Sequence, residues 1–200
     1  MKPIFATSSR RWWNWKSKQA DSLKTFQLIP YPASDLPNIQ ITGQIERTEN
    51  RLSIRYAVTG EIDSVLLPAL SNFPSRQHDL WRATCFEFFI AIKDQPRYWE
   101  FNMSSSGNWN VYAMDAYRQV NMREEVAFTQ LPFAFKKNDD EITLDISVDL
   151  NPILEPDPVL QIGITAIIQT VDKNETYWAL AHPGPHADFH LRESFILVVE

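Results

Sequence analysis

A single cysteine, Cys85, stands in 200 residues. It excludes an intramolecular disulfide and a zinc site built on cysteines. Glycine is scarce too, five residues against thirteen prolines. No glycine-rich phosphate loop is present, and no nucleophile elbow surrounds a serine. No sustained helical periodicity runs along the chain, and no apolar stretch nears the roughly twenty residues of a membrane span. Basic charge is in deficit: 19 Lys and Arg face 25 Asp and Glu, a net charge of -6. That balance argues against general nucleic-acid binding. Ser9-Arg10-Arg11 is not followed by the apolar segment of an export signal, because Asn14, Lys16, Lys18 and Asp21 interrupt it. The expectation is a cytoplasmic protein with no membrane partner.

What is there is aromatic: seven Trp, twelve Phe and six Tyr, with 44% hydrophobic residues. That suffices for one domain with a sizeable core. Residues 23–30 read as a first strand. Ile39, Ile41 and Ile45 alternate with polar residues, and after a turn at Glu49-Asn50 so do Leu52, Ile54, Tyr56 and Val58, a hairpin. Residues 62–70 suit a strand or a short helical turn, and residues 71–79 a loop. Residues 115–125 are polar, while residues 126–131 and 133–137 look like short strands. After a turn at residues 138–140, Ile142, Leu144, Ile146, Val148 and Leu150 alternate cleanly with polar positions. Residues 151–158 read as a loop. Residues 159–170 are apolar on both faces, as a central strand is. After a turn at residues 172–174, residues 177–180 and 194–199 add the last two strands. About ten closely spaced strands predict an all-β antiparallel β-sandwich. No repeat or linker divides it, so residues 1–22 are taken as an N-terminal extension and residues 23–200 as one domain. Trp12, Trp13 and Trp15 of the extension either pack on the domain or stay partly disordered.

Residues 81–118 organise the rest. In Cys85–Ile92, strand alternation puts Phe86, Phe88, Ile90 and Ile92 on one face and Cys85, Glu87, Phe89 and Ala91 on the other. In Tyr98–Ser104, Trp99, Phe101 and Met103 oppose Tyr98, Glu100, Asn102 and Ser104. Asp94, Gln95 and Pro96 supply the turn of a hairpin. A slip of one residue would set Glu87 among Trp99, Phe101 and Met103, where a lone carboxylate costs roughly several kcal/mol or takes up a proton. The register that keeps one face wholly apolar should therefore hold. Residues 108–114 add Trp109, Val111 and Ala113 to the apolar side and Asn110 and Tyr112 to the polar side. Phe86, Phe88, Trp99, Phe101, Trp109, Leu144, Ile146, Ile162 and Ile164 form the expected core, with Cys85 a small buried side chain.

The polar face is either solvated or a binding wall. Its short hydrogen-bonding groups beside aromatics favour a wall. Glu87 and Glu100 could form a glycosidase pair, although neighbouring carboxylates on one sheet face more often bind than catalyse. His182, His186 and His190 recur every four residues. Pro183, Gly184 and Pro185 argue against the helix that would align them on a metal, which leaves a loop metal site as the alternative. They read as loop histidines, with Asp188 orienting His190, and no metal is expected.

Two blocks carry a family likeness. Trp81, Cys85-Phe86-Glu87-Phe88-Phe89-Ile90, Tyr98-Trp99-Glu100-Phe101-Asn102, Ser104, Ser106-Gly107 and Trp109-Asn110 form the first. Tyr177-Trp178-Ala179-Leu180, His182-Pro183 and Asp188-Phe189-His190 form the second. Together they resemble the DOMON-like domains related to family 9 carbohydrate-binding modules. The resemblance implies an immunoglobulin-like sandwich without catalysis. It also implies a sugar clamped between two Trp rings over polar sheet residues, here Trp81 and Trp178. Glu100 stands near where those modules use a basic residue. Other DOMON relatives bind haem through Met and His, but the register points Met103 into the core.

The expected function is therefore non-catalytic binding of a carbohydrate or similar polyhydroxylated small molecule. The site would use Trp81, Glu87, Glu100, Asn102, Ser104, Tyr112, Trp178 and His182, with no catalytic residue and no cofactor. The alternatives are a haem module, an enzyme using Glu87, Glu100 or the His-rich loop, and a groove for a peptide.

Overall fold

The computed structural model describes residues 23–118, 122–156 and 158–200. The Trp12, Trp13 and Trp15 cluster lies outside them. The described residues form twelve strands, three short 3-10 turns and no α-helix. The strands are β1 Lys24–Pro30, β2 Ile39–Thr48, β3 Arg51–Gly60, β4 Cys85–Ile92, β5 Tyr98–Ser104 and β6 Trp109–Met114. They continue as β7 Arg123–Glu124, β8 Phe133–Lys137, β9 Glu141–Asp149, β10 Leu160–Gln169, β11 Glu175–Ala179 and β12 Leu197–Val199.

All strands pair antiparallel into one curled sheet, in the order β7-β6-β5-β4-β10-β11-β1-β2-β3-β9-β8, with β12 beside β10. β10 has β4 along one edge; on its other edge β12 takes Leu160–Ile162 and β11 takes the end from Thr165. Its both-faces-apolar sequence is what this interior place demands. β1 turns the corner: its residues up to Leu28 pair with β2, while Ile29 and Pro30 pair with β11.

The sheet curls so that its two halves share one hydrophobic core. Leu28, Ile41, Ile54, Tyr56, Leu144 and Ile146 from one half meet Phe86, Phe88, Phe101, Ile162 and Ile164 from the other. The Tyr56 hydroxyl donates to the Glu87 carbonyl at 2.6 Å, and its ring meets Phe86 edge-on at 5.3 Å. Phe88 stacks on Phe101 with centroids 4.5 Å apart. Every residue named above as expected core is buried.

The register is the one the buried-carboxylate argument selects. Phe88 lies opposite Phe101, Ile90 opposite Trp99, Phe86 opposite Met103 and Glu87 opposite Asn102. The hairpin turns fall where read, with Glu49 and Asp94 in the left-handed region at φ 55° and 62°. Two local readings are corrected. Residues 126–131 form no strand: Phe128 and Leu131 reach the core from a loop, while Val126 is exposed. The two-residue β7 instead lies inside the polar stretch 115–125, held on β6 by Glu124 opposite Tyr112. Among the described residues, no helix is long and apolar enough to cross a membrane.

Candidate functional site

The second face of β4, β5, β6, β10 and β11 is not solvated. Glu87 is 2% exposed, Glu100 4%, and Asn102, Asn110, Tyr112 and Thr165 are as deeply buried. Two segments cover it. The 3-10 turn Leu80–Arg82 sets half-buried Trp81 edge-on against Tyr112, with centroids 5.8 Å apart. The late chain brings Phe189, His190 and Phe195 down beside Phe89, Tyr98, Ile167 and Ala179 as a second apolar cluster. Gly163 on β10 makes room for the Phe195 ring: a Cβ there would stand 2.8 Å from Phe195 Cδ1. Phe195 then packs 5.3 Å from Phe89 and 5.7 Å from Tyr98.

Both covers are tied down by polar contacts. Arg76 lies over the Trp109 ring and donates to Asn110 Oδ1 at 2.7 Å. His78 reaches the Tyr112 hydroxyl at 3.1 Å and Glu124 Oε1 at 3.3 Å. Arg118 grips both Asp188 oxygens, at 3.0 and 3.1 Å, and the Tyr117 hydroxyl donates to the same carboxylate at 2.7 Å. Asp188 Oδ1 accepts from the His190 backbone N–H at 3.0 Å, so it positions the segment that carries the ring.

Beneath the covers lies a carboxyl pair. Glu87 and Glu100 sit diagonally on adjacent strands, Glu87 opposite Asn102 and Glu100 opposite Phe89. Asn102 Nδ2 donates to Glu100 Oε1 at 2.7 Å, and Thr165 Oγ1 donates to Glu87 Oε2 at 3.2 Å. The other oxygen of each, Glu87 Oε1 and Glu100 Oε2, has no hydrogen-bond partner. Desolvation pushes both carboxyls up: Glu87 well above the carboxylate range, helped by the Glu100 charge, and Glu100 to about 7. Burial lowers His190 to about 4 and raises Tyr98 to about 12. The Tyr98 phenol stays protonated, 3.0 Å from His190 Nδ1. With Tyr98 as donor, His190 carries its proton on Nε2, the nitrogen 4.0 Å from Glu100 Oε2.

The structure brings Trp81, Glu87, Glu100, Asn102 and Tyr112 together. The remaining expected site residues fall elsewhere. Trp178 belongs to the main core at 4% exposure, its Nε1 donating to Thr176 Oγ1 at 2.9 Å. It lies opposite Ala166, whereas Glu87 lies opposite Thr165, so Trp178 and the carboxyl pair occupy opposite faces of the sheet. The clamp of Trp81 and Trp178 is thus not formed. The β11 neighbour that faces the second cluster is Tyr177. Ser104 accepts from the Ser106 N–H and hydroxyl at 3.3 and 3.0 Å and so builds the turn after β5. His182 Nε2 lies 3.0 Å from the Ile29 carbonyl, beside Tyr31, where it fastens the corner of the sheet. The histidines part company, His190 over the pair and His186 exposed. Among the described residues, no group of three or more His, Cys, Asp or Glu is placed to hold a metal.

Sequence reasoning missed Thr165 and His78, and gave His190 no place over the carboxyls. Thr165 had a signal: it is a hydroxyl in an apolar central strand, and alternation sets it opposite in facing to Ile164. His78 and His190 had none, because they lie on loops whose docking no periodicity dictates.

No family model and no curated protein sequence matches the chain. Among solved structures, the fold is similar to that of a "putative carbohydrate-binding protein" from Bacteroides uniformis, with a TM-score of 0.65 and 12% identity over 87% of this chain and 84% of that one. At such identity the likeness is one of fold.

Proposed function

We propose that the chain is a non-catalytic binding domain for a carbohydrate or similar polyhydroxylated small molecule. In this reading it is one immunoglobulin-like β-sandwich of the DOMON-like kind related to family 9 carbohydrate-binding modules, and it acts in the cytoplasm. The observation that carries it is the pair of buried oxygens, Glu87 Oε1 and Glu100 Oε2, left without donors beside an aromatic wall. An unpaired buried polar atom costs about 1–3 kcal/mol. A ligand hydroxyl would offset that cost, while Trp81 and Tyr112 would cover an apolar sugar face. The similar fold in a protein described as carbohydrate-binding supports the same reading.

The site is closed in this structure, so binding includes movement of Leu80–Arg82. Asp79, in the left-handed region at φ 60°, starts that turn and is the natural hinge. Turnover is not part of the proposal. Enclosed carboxyls driven towards the neutral acid do not supply the ionised nucleophile a glycosidase needs below neutral pH.

A panel of neutral, acidic and amine-bearing sugars, read by tryptophan fluorescence and calorimetry, tests the proposal. Binding that Trp81→Ala abolishes while the melting temperature falls by no more than about 4 °C is the expected result. Absence of binding across the panel, or binding indifferent to both Trp81→Ala and Glu100→Gln, removes it.

A further inference from the structure

The carboxyl pair also speaks to the chemistry of the ligand. We infer, on the basis of the binding function proposed above, that the site takes an amino sugar and recognises its vicinal ammonium and hydroxyl groups.

Three observations lead there. First, the donors around the pair are already engaged. Asn102 gives its amide hydrogen to Glu100 and Thr165 its hydroxyl hydrogen to Glu87. Asn110, next along the face, faces the Gln77 carbonyl, the Tyr112 hydroxyl and Glu124. Both orphan atoms on this face are carboxyl oxygens, which want a donor once ionised, and the Cys85 thiol is the weak donor left beside Glu87. Second, nothing on the strands balances the charge of an ionised pair. β4, β5, β6, β10 and β11 contain no Lys or Arg. Arg118 is committed to Asp188, and His190 is held neutral by burial. A neutral sugar would supply donors but leave at least one carboxyl protonated. An ammonium supplies donors and the missing positive charge together.

Third, the gap between His190 Nε2 and Glu100 Oε2 is 4.0 Å, too long for a hydrogen bond and short enough for one ligand atom to bridge. With the proton on Nε2 and Glu100 ionised, that atom must accept from His190 and donate to Glu100. A hydroxyl does both, and an ammonium only donates. The site therefore reads as two adjacent positions: a hydroxyl between His190 and Glu100, and an ammonium on Glu87 Oε1 shared with Glu100. A 2-amino-2-deoxy hexose presents those groups on neighbouring carbons. Trp81 and Tyr112 add faces that favour a cation.

The test is calorimetry on the full chain near neutral pH with glucosamine, glucose, N-acetylglucosamine and glucuronate. Glucosamine should bind at least about tenfold more tightly than glucose, about 1.4 kcal/mol. N-acetylation should remove the advantage, and glucuronate should bind least. Repeating the titration in buffers of different ionisation heat should reveal protons released by the Glu87–Glu100 pair as the ammonium enters. Glu87→Gln should bring glucosamine down towards glucose. The wild-type ranking stands as a test even where that variant folds poorly. Equal or tighter binding of glucose overturns the amino-sugar inference and leaves the sugar-binding proposal intact. No binding by any of the four, together with no binding across the wider panel, overturns both. Glucosamine binding without proton release shows the carboxyls to be structural acids and overturns the inference.

Discussion

Glu100 Oε2 and His190 Nε2 stand 4.0 Å apart, yet the two side chains are not charged together. Burial keeps His190 neutral down to about pH 4 and keeps Glu100 protonated up to about pH 7. Below 4 the imidazole is charged and the carboxyl neutral; above 7 the reverse holds. Their proximity is that of an acid and a base held in neutral forms, so no internal ion pair closes the contact.

The pH dependence of stability follows with opposite signs. Glu87 and Glu100 have folded pKa values above their ordinary 4.5, so the folded state holds extra protons above that pH and loses stability as pH rises. His190 has a folded pKa below its ordinary 6.5, so its contribution falls as pH drops from 6.5 through 4. Each unbalanced proton is worth about 1.4 kcal/mol per pH unit. Between pH 4.5 and 6.5 the two carboxyls outweigh the histidine, and the melting temperature should fall as pH rises. In the double variant Glu87→Gln, Glu100→Gln the slope should reverse, leaving the His190 term. Thermal melts across pH 4 to 8 check this; an unchanged slope would mean that the pair is ionised in the fold.

The two tryptophans should separate cleanly. Trp178 fills the main core, so Trp178→Ala should cost about 3–5 kcal/mol of stability. Trp81 is half-buried on the covering turn, and Trp81→Ala should cost about 1 kcal/mol or less while removing ligand affinity. Denaturant unfolding of both variants decides, and similar losses would place Trp81 among the core residues.

Phe88 and Tyr56 hold the core in different ways. Phe88→Ala removes a ring stacked on Phe101 and should destabilise by about 3–5 kcal/mol. Tyr56→Phe keeps the ring and deletes only the 2.6 Å bond to the Glu87 carbonyl, so about 1 kcal/mol should go. Measured unfolding free energies that rank the two the other way would contradict this account of the core.

Gly163→Ala should disturb the cover without touching the carboxyls. Its methyl would stand 2.8 Å from Phe195, whose ring must then shift. Faster amide exchange through residues 189–196, with β4 and β5 still protected, is the expected signature by hydrogen exchange.

The β4–β5 hairpin was legible to the residue because two physical terms agreed there. Alternation grouped the aromatics, and the cost of Glu87 among them fixed the register. β9 was legible for the same reason. The facing of β11 was not: Thr176, Tyr177, Trp178 and Ala179 offer little contrast between faces, and only pairing with Ala166 turns Trp178 inward. The burial of the polar face was hidden as well. It depends on His190 reaching Tyr98 and on Asp188 meeting Arg118, contacts made by a late loop without periodicity to residues far away in sequence.

The corner strand sets an order of assembly. Lys24 pairs with Ile45, close in sequence, but Ile29 pairs with Ala179, some 150 residues later. Closing that distance places the fold among slow, non-local topologies. The β2–β3 and β4–β5 hairpins need only near neighbours, so they should form before β10 and β11 join. Until those strands and the segment after them dock, Glu87 and Glu100 face water and are ionised at neutral pH. Closure of the sheet is therefore also an uptake of protons from solvent, and its rate should depend on buffer pH.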